Sequence, residues 1–215
     1  MKFQIIQVTP FQQNCTLMWD DSQDSAKLAA VVDPGGDVDK IVAVLEQRGL
    51  TLEKVLVTHG HLDHCGAAKV LADRFGVPIE GPHKADAYLL DDLATSQTRM
   101  WGLPPGTPFT PDRWLDQGDS VTVGTQTLQV FHCPGHSPGH IVFFHEPTKV
   151  AISGDVLFAG SVGRTDLPNG NFNALAKAIR ENLYTLGDEV QFIPGHGPVS
   201  TIGSERRNNQ FVPDK

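Results

Sequence analysis

Short runs of alternating or continuously apolar residues recur along both halves of the chain, and segments with helical spacing of apolar residues separate them. The first pattern predicts β-strands and the second predicts amphipathic helices. The predicted strands are Phe3–Val8, Cys15–Trp19, Ala29–Asp33, Lys54–Thr58, Ser120–Val123, Thr127–His132, Ile141–His145, Val150–Ser153 and Val190–Pro194. The predicted helices run from a cap at Asp37 to Arg48, from Cys65 to Phe75 and from Phe172 to Leu186.

Strands and helices alternate in both halves, which predicts an α/β protein with two sheets sandwiched between helices. The residues from Trp101 to Pro111 are rich in proline and glycine and predict an irregular excursion over the surface. The chain has 215 residues and no strong linker, so we expect one domain spanning residues 1–215.

Composition narrows the classes of partner. The net charge of −8 argues against binding to a nucleic-acid backbone, and the cluster Glu205–Arg207 is expected to be a solvated face. No window approaches the roughly 18 apolar residues of a membrane helix. The opening "MKFQIIQVTP" resembles a first strand more than a signal peptide. The three cysteines, an odd number without regular spacing, do not indicate a disulfide framework. We therefore expect a cytoplasmic protein with a small-molecule partner.

The stretch "VTHGHLDHCG" crowds three imidazoles and a carboxylate behind a buried strand. At an extended strand end, residues two apart point the same way, so His59 and His61 can bind one ion together. Asp63 and His64 follow on the first turn of a helix and can reach a second point. Any one of these residues could instead be a helix cap or a hydrogen-bonded histidine, but the set predicts two ions sharing a site.

Two ions need more ligands, and polar residues at other strand ends supply them. His136, Asp155 and His196 each follow a predicted strand directly or through a tight loop, where side chains converge on one rim. We assign His59, His61 and His136 to the first ion, Asp63, His64 and His196 to the second, and Asp155 as the bridge.

Several nearby residues are predicted to have other roles. Asp33 either orients a ligand imidazole or is only a turn residue before a proline, and His140 is expected just behind the ligands. Cys65 and Cys133 are predicted to pack in the interior because the nitrogen and oxygen ligands are already complete. His83 and His145 are expected at the surface.

Four motifs, "THGHLDH", "PGHSPGH", "SGD" and "PGHG", occur in this order and resemble those of the metallo-β-lactamase superfamily. The resemblance spans nearly the whole chain. It implies an αββα sandwich of two mixed sheets flanked by helices, with the metal site at one edge. Asp155, where the zinc β-lactamases carry cysteine, argues against antibiotic hydrolysis.

Within the superfamily, "GSVGRTDLPNG" at Gly160–Gly170 is similar to glyoxalase II (hydroxyacylglutathione hydrolase) and to persulfide dioxygenases. The short length and "VDPGGD" resemble the compact glyoxalase II-like hydrolases of bacteria. Glyoxalase II proper continues after its last histidine ligand into a helical domain that contacts glutathione. No such C-terminal domain is expected here, so the resemblance supports the chemistry better than the substrate.

The resulting hypothesis is a metal-dependent hydrolase that cleaves a thioester such as S-D-lactoylglutathione to glutathione and a hydroxy acid. Two divalent ions, with zinc expected and iron or manganese as alternatives, would provide a bridging hydroxide that Asp63 orients. Arg164 is the candidate for binding a substrate carboxylate, with a salt bridge to Asp166 as its structural alternative, and Phe158 is the candidate for lining the acyl pocket.

Three other functions stay open at this point. A persulfide dioxygenase would use one iron on His59, His136 and Asp155. A phosphodiesterase or nuclease on the same fold and a metal-binding protein without catalysis are the others. The chain is expected to be a monomer or a small homo-oligomer.

Overall fold

The structure is a computed structural model, and it describes residues 1–22 and 27–214. The first half of the chain forms a sheet in the strand order β1-β2-β3-β4-β5. Its first three strands are antiparallel neighbours and its last three are parallel. The strands are β1 (Lys2–Val8), β2 (Gln13–Trp19), β3 (Leu28–Val32), β4 (Thr51–Leu56) and β5 (Ile79–Glu80). The helices of this half are α1 (Val38–Arg48), α2 (Leu62–Cys65) and α3 (Ala68–Phe75).

Helices α4 (Ala87–Asp91) and α5 (Ser96–Trp101) lead into the second half. Its strands are β6 (Ser120–Val123), β7 (Gln126–His132), β8 (Ile141–His145), β9 (Val150–Gly154), β10 (Leu157–Phe158), β11 (Ser161–Val162), β12 (Gln191–Pro194) and β13 (Ser200–Thr201). The second sheet has the order β13-β12-β9-β8-β7-β6 and is antiparallel except between β9 and β12, while β10 and β11 form a separate ribbon. Helices α6 (Phe172–Ala178) and α7 (Ile202–Asn208) complete this half.

The two sheets face each other, and helices cover their outer faces. On β8, Phe143 lies in a buried cluster with Met18 and Leu56 of the first sheet. Its neighbours Val142 and Phe144 point the other way and belong to the cluster beneath α6 and α7. This period of two places one apolar face of the strand against the partner sheet and the other against helices. The predicted αββα sandwich is therefore confirmed.

Backbone hydrogen bonds join the two sheets at one edge. Asn14 N–H donates to the carbonyl of Gly195 (2.7 Å), and Ile141 N–H donates to the carbonyl of Thr58 (2.9 Å). Gly195 N–H in turn donates to the carbonyl of Gly154 (2.8 Å), which ties the ends of the parallel strands β9 and β12 together. The loops that follow β4, β9 and β12 are thus held beside one another.

The predicted strands all correspond to observed strands, but two helices differ from the prediction. The helix expected from Cys65 is interrupted, because Ala67 N–H donates to the carbonyl of Pro34 (2.9 Å) and α3 begins at the next residue. The helix expected to run to Leu186 changes to a π-helix at Ile179–Leu183. The irregular stretch predicted for Trp101–Pro111 begins one residue later, because Trp101 is the last residue of α5 and no regular element occurs from Gly102 to Pro111. No described helix has the length and apolar character needed to cross a membrane.

Two surface predictions are wrong. Glu205 is buried and accepts hydrogen bonds from Gly160 N–H (2.7 Å) and the Ser200 hydroxyl (2.6 Å), so the cluster Glu205–Arg207 is not simply solvated. His145 is also buried, with Nδ1 2.7 Å from the hydroxyl of Thr148. In both cases the side chain is satisfied by partners that the local sequence pattern does not reveal.

Candidate metal centre

The first group of predicted ligands comes from two loops. His59 and His61 follow β4, and His136 lies in the loop between β7 and β8. Nδ1 of His61 is 3.1 Å from Nε2 of His59 and 2.9 Å from Nε2 of His136. All three rings are buried, and their nitrogens lie close enough to contact one ion.

The second group combines α2 with the loop after β12. Nε2 of His196 is 3.1 Å from Oδ2 of Asp63 and 3.3 Å from Nε2 of His64. Asp63 and His64 are neighbours on the first turn of α2, so their side chains leave the helix on adjacent sides. The structure brings these three ligand atoms together as a second cluster.

Asp155 lies between the two groups. Oδ1 is 3.3 Å from Nε2 of His64, and Oδ2 is 3.5 Å from Nε2 of His136. The preceding Gly154 has a left-handed backbone (φ 48°), and an added Cβ there would lie 2.7 Å from the ring of His140. His140 accepts the backbone N–H of Asp155 at Nε2 (2.9 Å) and stacks on His59 with ring centroids 4.4 Å apart.

The hydrogen-bond acceptors on the far side of three of the rings decide which ring nitrogen faces the cluster. Nδ1 of His64 donates to the carboxylate of Asp33 (2.9 Å), and Nδ1 of His136 donates to the carbonyl of Arg164 (2.8 Å). Nδ1 of His196 donates to the carbonyl of Phe11 (3.2 Å). Because these oxygens can only accept, each ring directs Nε2 inward, as metal-binding histidines do.

Asp33 supports this arrangement from behind. Its carboxylate accepts the backbone N–H of Thr58 (2.7 Å), the hydroxyl of Thr58 (2.6 Å) and Nδ1 of His64. Since the Thr58 hydroxyl donates to Asp33, its oxygen is left to accept from Nδ1 of His59, 3.0 Å away. One carboxylate thus orients an imidazole of each group.

The electrostatics of the two groups suit a cation. Burial lowers the pKa of His61 to about 3, with His136 adding to the shift, so this ring is a neutral ligand. Burial alone would lower the pKa of His64, but Asp155 and Asp63 raise it well above its ordinary value. Asp155 keeps a lowered pKa despite burial because His64 is adjacent, and its buried Oδ1 has no hydrogen-bond partner among the described residues. This nitrogen and oxygen set fits divalent ions such as zinc, iron or manganese.

A cleft opens over the two groups. It has a volume of about 400 Å³, and Phe11, Trp101, Phe158 and Val162 form much of its wall. A neighbouring cavity of about 250 Å³ shares His61 and Trp101 with it. Phe158 thus lines a mainly apolar space next to the predicted ligands, and its contact with an acyl group stays a prediction.

Arg164 also lines the cleft, but its guanidinium binds Asp166 through two hydrogen bonds of 2.8 Å. The salt bridge to Asp166 that was the expected structural alternative is therefore present. Its backbone carbonyl has a separate contact with the ring of His136, as described above.

The cysteines are all buried and free. The thiol of Cys65 donates to the carbonyl of His61 (3.3 Å), and Cys133 accepts from the side-chain amide of Asn182 (3.7 Å). None of the potential metal-ligand clusters of the described residues contains a cysteine. The packing role expected for Cys65 and Cys133 agrees with this placement.

A further cluster of potential ligands, made of His83, Asp116 and His132, lies outside the cleft. The rings of His83 and His132 stack with centroids 4.1 Å apart. Nδ1 of His83 accepts the backbone N–H of Ala85 (3.1 Å), so its neutral ring carries the proton on Nε2. That nitrogen is a donor toward Asp116 rather than a lone pair for a metal.

Sequence reasoning missed two residues behind the first group. Asp86 and Gln97 come from the segment that includes α4 and α5, where no element was predicted. Gln97 accepts the backbone N–H of Leu62 (2.8 Å) and donates to the carbonyls of Gly60 (3.1 Å) and Leu89 (2.8 Å). Both side chains are buried. Short helices carry too little periodicity to predict this placement.

Comparisons with known proteins agree with the fold and the cluster. A profile of the metallo-β-lactamase superfamily matches residues 8–196. Hydroxyacylglutathione hydrolase GloC of Haemophilus influenzae is 44% identical over 100% of both chains.

The structure of the B3 metallo-β-lactamase BLEG-1 aligns with a TM-score of 0.90 and 37% identity, covering 98% of this chain and 99% of that one. The structure of TTHA1623 in a di-iron-bound form aligns with a TM-score of 0.86 and 36% identity, covering 97% and 99%. The chain belongs to the metallo-β-lactamase superfamily and is a metal-dependent hydrolase.

Proposed function

We propose that the protein hydrolyses thioesters, with S-D-lactoylglutathione as the reference substrate, at a centre of two divalent ions. The observation that carries the proposal is the pairing of two ligand groups on either side of Asp155. The 44% sequence identity to a hydroxyacylglutathione hydrolase over the full length of both chains supports the same chemistry. Zinc is the proposed metal, and the di-iron form of TTHA1623 makes iron the first alternative.

His59, His61 and His136 would hold one ion, Asp63, His64 and His196 the other, and Asp155 would contact both. When bound, such ions lower the pKa of a coordinated water and polarise a carbonyl oxygen.

The chain's own groups do the rest of the work. Asp63 presents a carboxylate at the floor of the cleft, where it can accept a hydrogen bond from a water and orient that water toward the substrate. The apolar walls around Trp101 and Phe158 exclude bulk water from the reacting carbonyl. The departing thiol has a reference pKa near 8.5, so it leaves as a thiolate without a strong general acid.

Arg164 would hold a substrate carboxylate by exchanging its partner Asp166 for the ligand. Among the described residues that line the cleft, it is the source of a permanent positive charge. Its side chain is about half exposed, so this exchange requires no movement of the core.

The decisive experiment measures metal content by elemental analysis and S-D-lactoylglutathione hydrolysis on the same sample. We expect two ions per chain and turnover that falls by more than about 100-fold in His59→Ala. His83→Ala is the matched control, since its ring lies outside the cleft, and it should keep both properties. A metal-loaded protein without thioesterase activity would refute the proposal.

Three rival activities belong in the same panel of assays. A β-lactam substrate tests the activity named for BLEG-1. Oxygen uptake with glutathione persulfide, together with one iron per chain, would instead indicate a mononuclear dioxygenase on His59, His136 and Asp155. The phosphodiesterase reading is tested with a phosphodiester in the same panel. The acidic charge of −8 supports a small-molecule substrate over nucleic acid.

A further inference from the structure

The first ligand group depends on the spacing between two separate loops. His59 and His61 come from the loop after β4, whereas His136 comes from the loop between β7 and β8. A shift of one loop against the other would separate ring nitrogens that now lie 2.9 Å apart. The carboxylate of Asp86 connects these loops by hydrogen bonds to both of them.

Asp86 accepts one hydrogen bond from the first loop and two from the second. Oδ2 accepts the backbone N–H of Gly60 (2.9 Å), which lies between the two histidines, and the hydroxyl of Ser137 (2.7 Å), next to His136. Oδ1 accepts the backbone N–H of Gly139 (2.6 Å). The carboxylate is fully buried, so these charge-assisted bonds are made without competition from water.

The glycine at the second loop allows this close approach. A Cβ added to Gly139 would lie 2.5 Å from the backbone nitrogen of Asp86 and 2.7 Å from its Cγ. Such distances are far below van der Waals contact, so any side chain at this position would push the loop away from the carboxylate.

Helix capping does not explain Asp86. It occupies the position before α4 that acidic residues commonly take as caps, but its side chain makes no capping hydrogen bond to that helix. All of its side-chain hydrogen bonds to described residues go to the two ligand loops.

We propose that Asp86 is a positioning residue that fixes the distance between the two loops and thereby sets the affinity of the first ion. The inference rests on the proposed metal centre. It predicts an asymmetry, because the side-chain hydrogen bonds of Asp86 to described residues reach neither α2 nor the loop after β12, and His64 of the second group is oriented by Asp33 instead.

Asp86→Asn is the sharpest variant. It preserves the shape of the side chain, but in either orientation its NH₂ group faces a donor, either Gly139 N–H or Gly60 N–H. Ser137→Ala is milder, since it removes one of the three bonds. The matched control is Asp20→Asn, because Asp20 is a carboxylate of low solvent exposure that accepts hydrogen bonds from Thr125 (2.8 and 2.7 Å) in the turn between β6 and β7, away from the ligand loops.

Zn²⁺ binding is measured by competition with a chromophoric chelator, and the melting temperature is measured on EDTA-treated samples. In Asp86→Asn we expect the affinity of one ion to fall by about 10–100-fold while the other is retained. Ser137→Ala should lose less, and Asp20→Asn should bind both ions as the wild type does even where its melting temperature falls.

The inference is overturned if Asp86→Asn binds both ions with wild-type affinity, or if Asp20→Asn loses an ion to the same degree. If Asp86→Asn does not fold, Ser137→Ala takes its place in the test. Wild-type affinity for both zinc ions in Ser137→Ala would then overturn the inference. A wild-type protein that binds no ion would overturn the proposed metal centre itself. Unchanged ion affinity in Asp86→Asn would overturn only the role proposed for Asp86.

Discussion

His64 and His196 direct their Nε2 atoms at each other across 3.3 Å, while each ring donates from Nδ1 to an oxygen on its far side. The far-side partners, Asp33 and the carbonyl of Phe11, belong to segments distant in the chain. With both Nδ1 atoms committed, the facing nitrogens repel each other unless a positive charge lies between them. The fold thus builds a site whose ring orientations favour a cation.

Metal loading should therefore stabilise the protein. A ligand that binds only the folded state at 100 times its Kd contributes about 2.7 kcal/mol, which for a chain of this size raises Tm by about 5–10 °C per site. Calorimetry of EDTA-treated protein with and without added Zn²⁺ measures this shift. In His196→Ala the shift should be smaller, and an equal shift in that variant would contradict the arrangement.

Gly195→Ala should disrupt the centre through a steric clash. An added Cβ would lie 2.1 Å from Oδ1 of Asp155 and 2.5 Å from Cε1 of His64. We expect loss of bound metal and at least about a 10-fold loss of activity. Gly197→Ala is the control, because it tests a left-handed backbone (φ 78°) with nothing within 4 Å of the added atom. Equal metal content in both variants would count against the steric explanation.

Gln97→Glu should destabilise the protein without touching a ligand. One oxygen can still accept from Leu62, but the other faces the carbonyls of Gly60 and Leu89, which lose their donor. Leaving buried acceptors unpaired costs about 1–3 kcal/mol in the free energy of unfolding. Urea denaturation checks this, with the exposed Gln191→Glu as control. A wild-type midpoint for Gln97→Glu would show that these bonds contribute little.

The three cysteines should resist alkylation in the folded protein. Burial raises the pKa of Cys133 to about 12 and that of Cys15 well above its ordinary value, and the thiolate is the reactive form. We expect slow labelling by iodoacetamide at pH 8 in buffer and three labelled thiols in denaturant, counted by mass spectrometry.

The same shift has a consequence at high pH. A group with a raised folded-state pKa stabilises the fold below its unfolded value, here 9.0, and that stability is lost as the pH rises toward about 12. Cys133→Ala should therefore flatten the decline in stability over this range, and an unchanged decline would contradict it.

Arg164→Ala should separate substrate binding from a structural role. If the guanidinium exchanges Asp166 for a substrate carboxylate, KM for S-D-lactoylglutathione should rise about 10-fold while kcat changes little. A thioester without carboxylates is the control substrate and should show no change. An unaltered KM for both substrates would show that Arg164 does not bind the substrate carboxylate and has only its structural salt bridge to Asp166.

The ligand candidates could be found from the sequence because their placement follows local rules. Apolar strand patterns locate the ends of β4, β9 and β12, and polar residues just past strand ends converge at one edge. Asp86 and Gln97 escaped the same reasoning. Asp86 resembles an ordinary cap before a short helix, and nothing local shows that its carboxylate reaches loops around Gly60 and Gly139.

The sequence by itself determined the chemical types of the site: histidines and aspartates at the ends of strands, in an order typical of a two-ion centre. Only the tertiary structure decided how each group is used. The inward nitrogen of His196 depends on the carbonyl of Phe11, which is 185 residues away, and the spacing of His61 and His136 depends on Asp86. Orientation and spacing are long-range properties because each hydrogen-bond partner comes from a segment that only folding brings near.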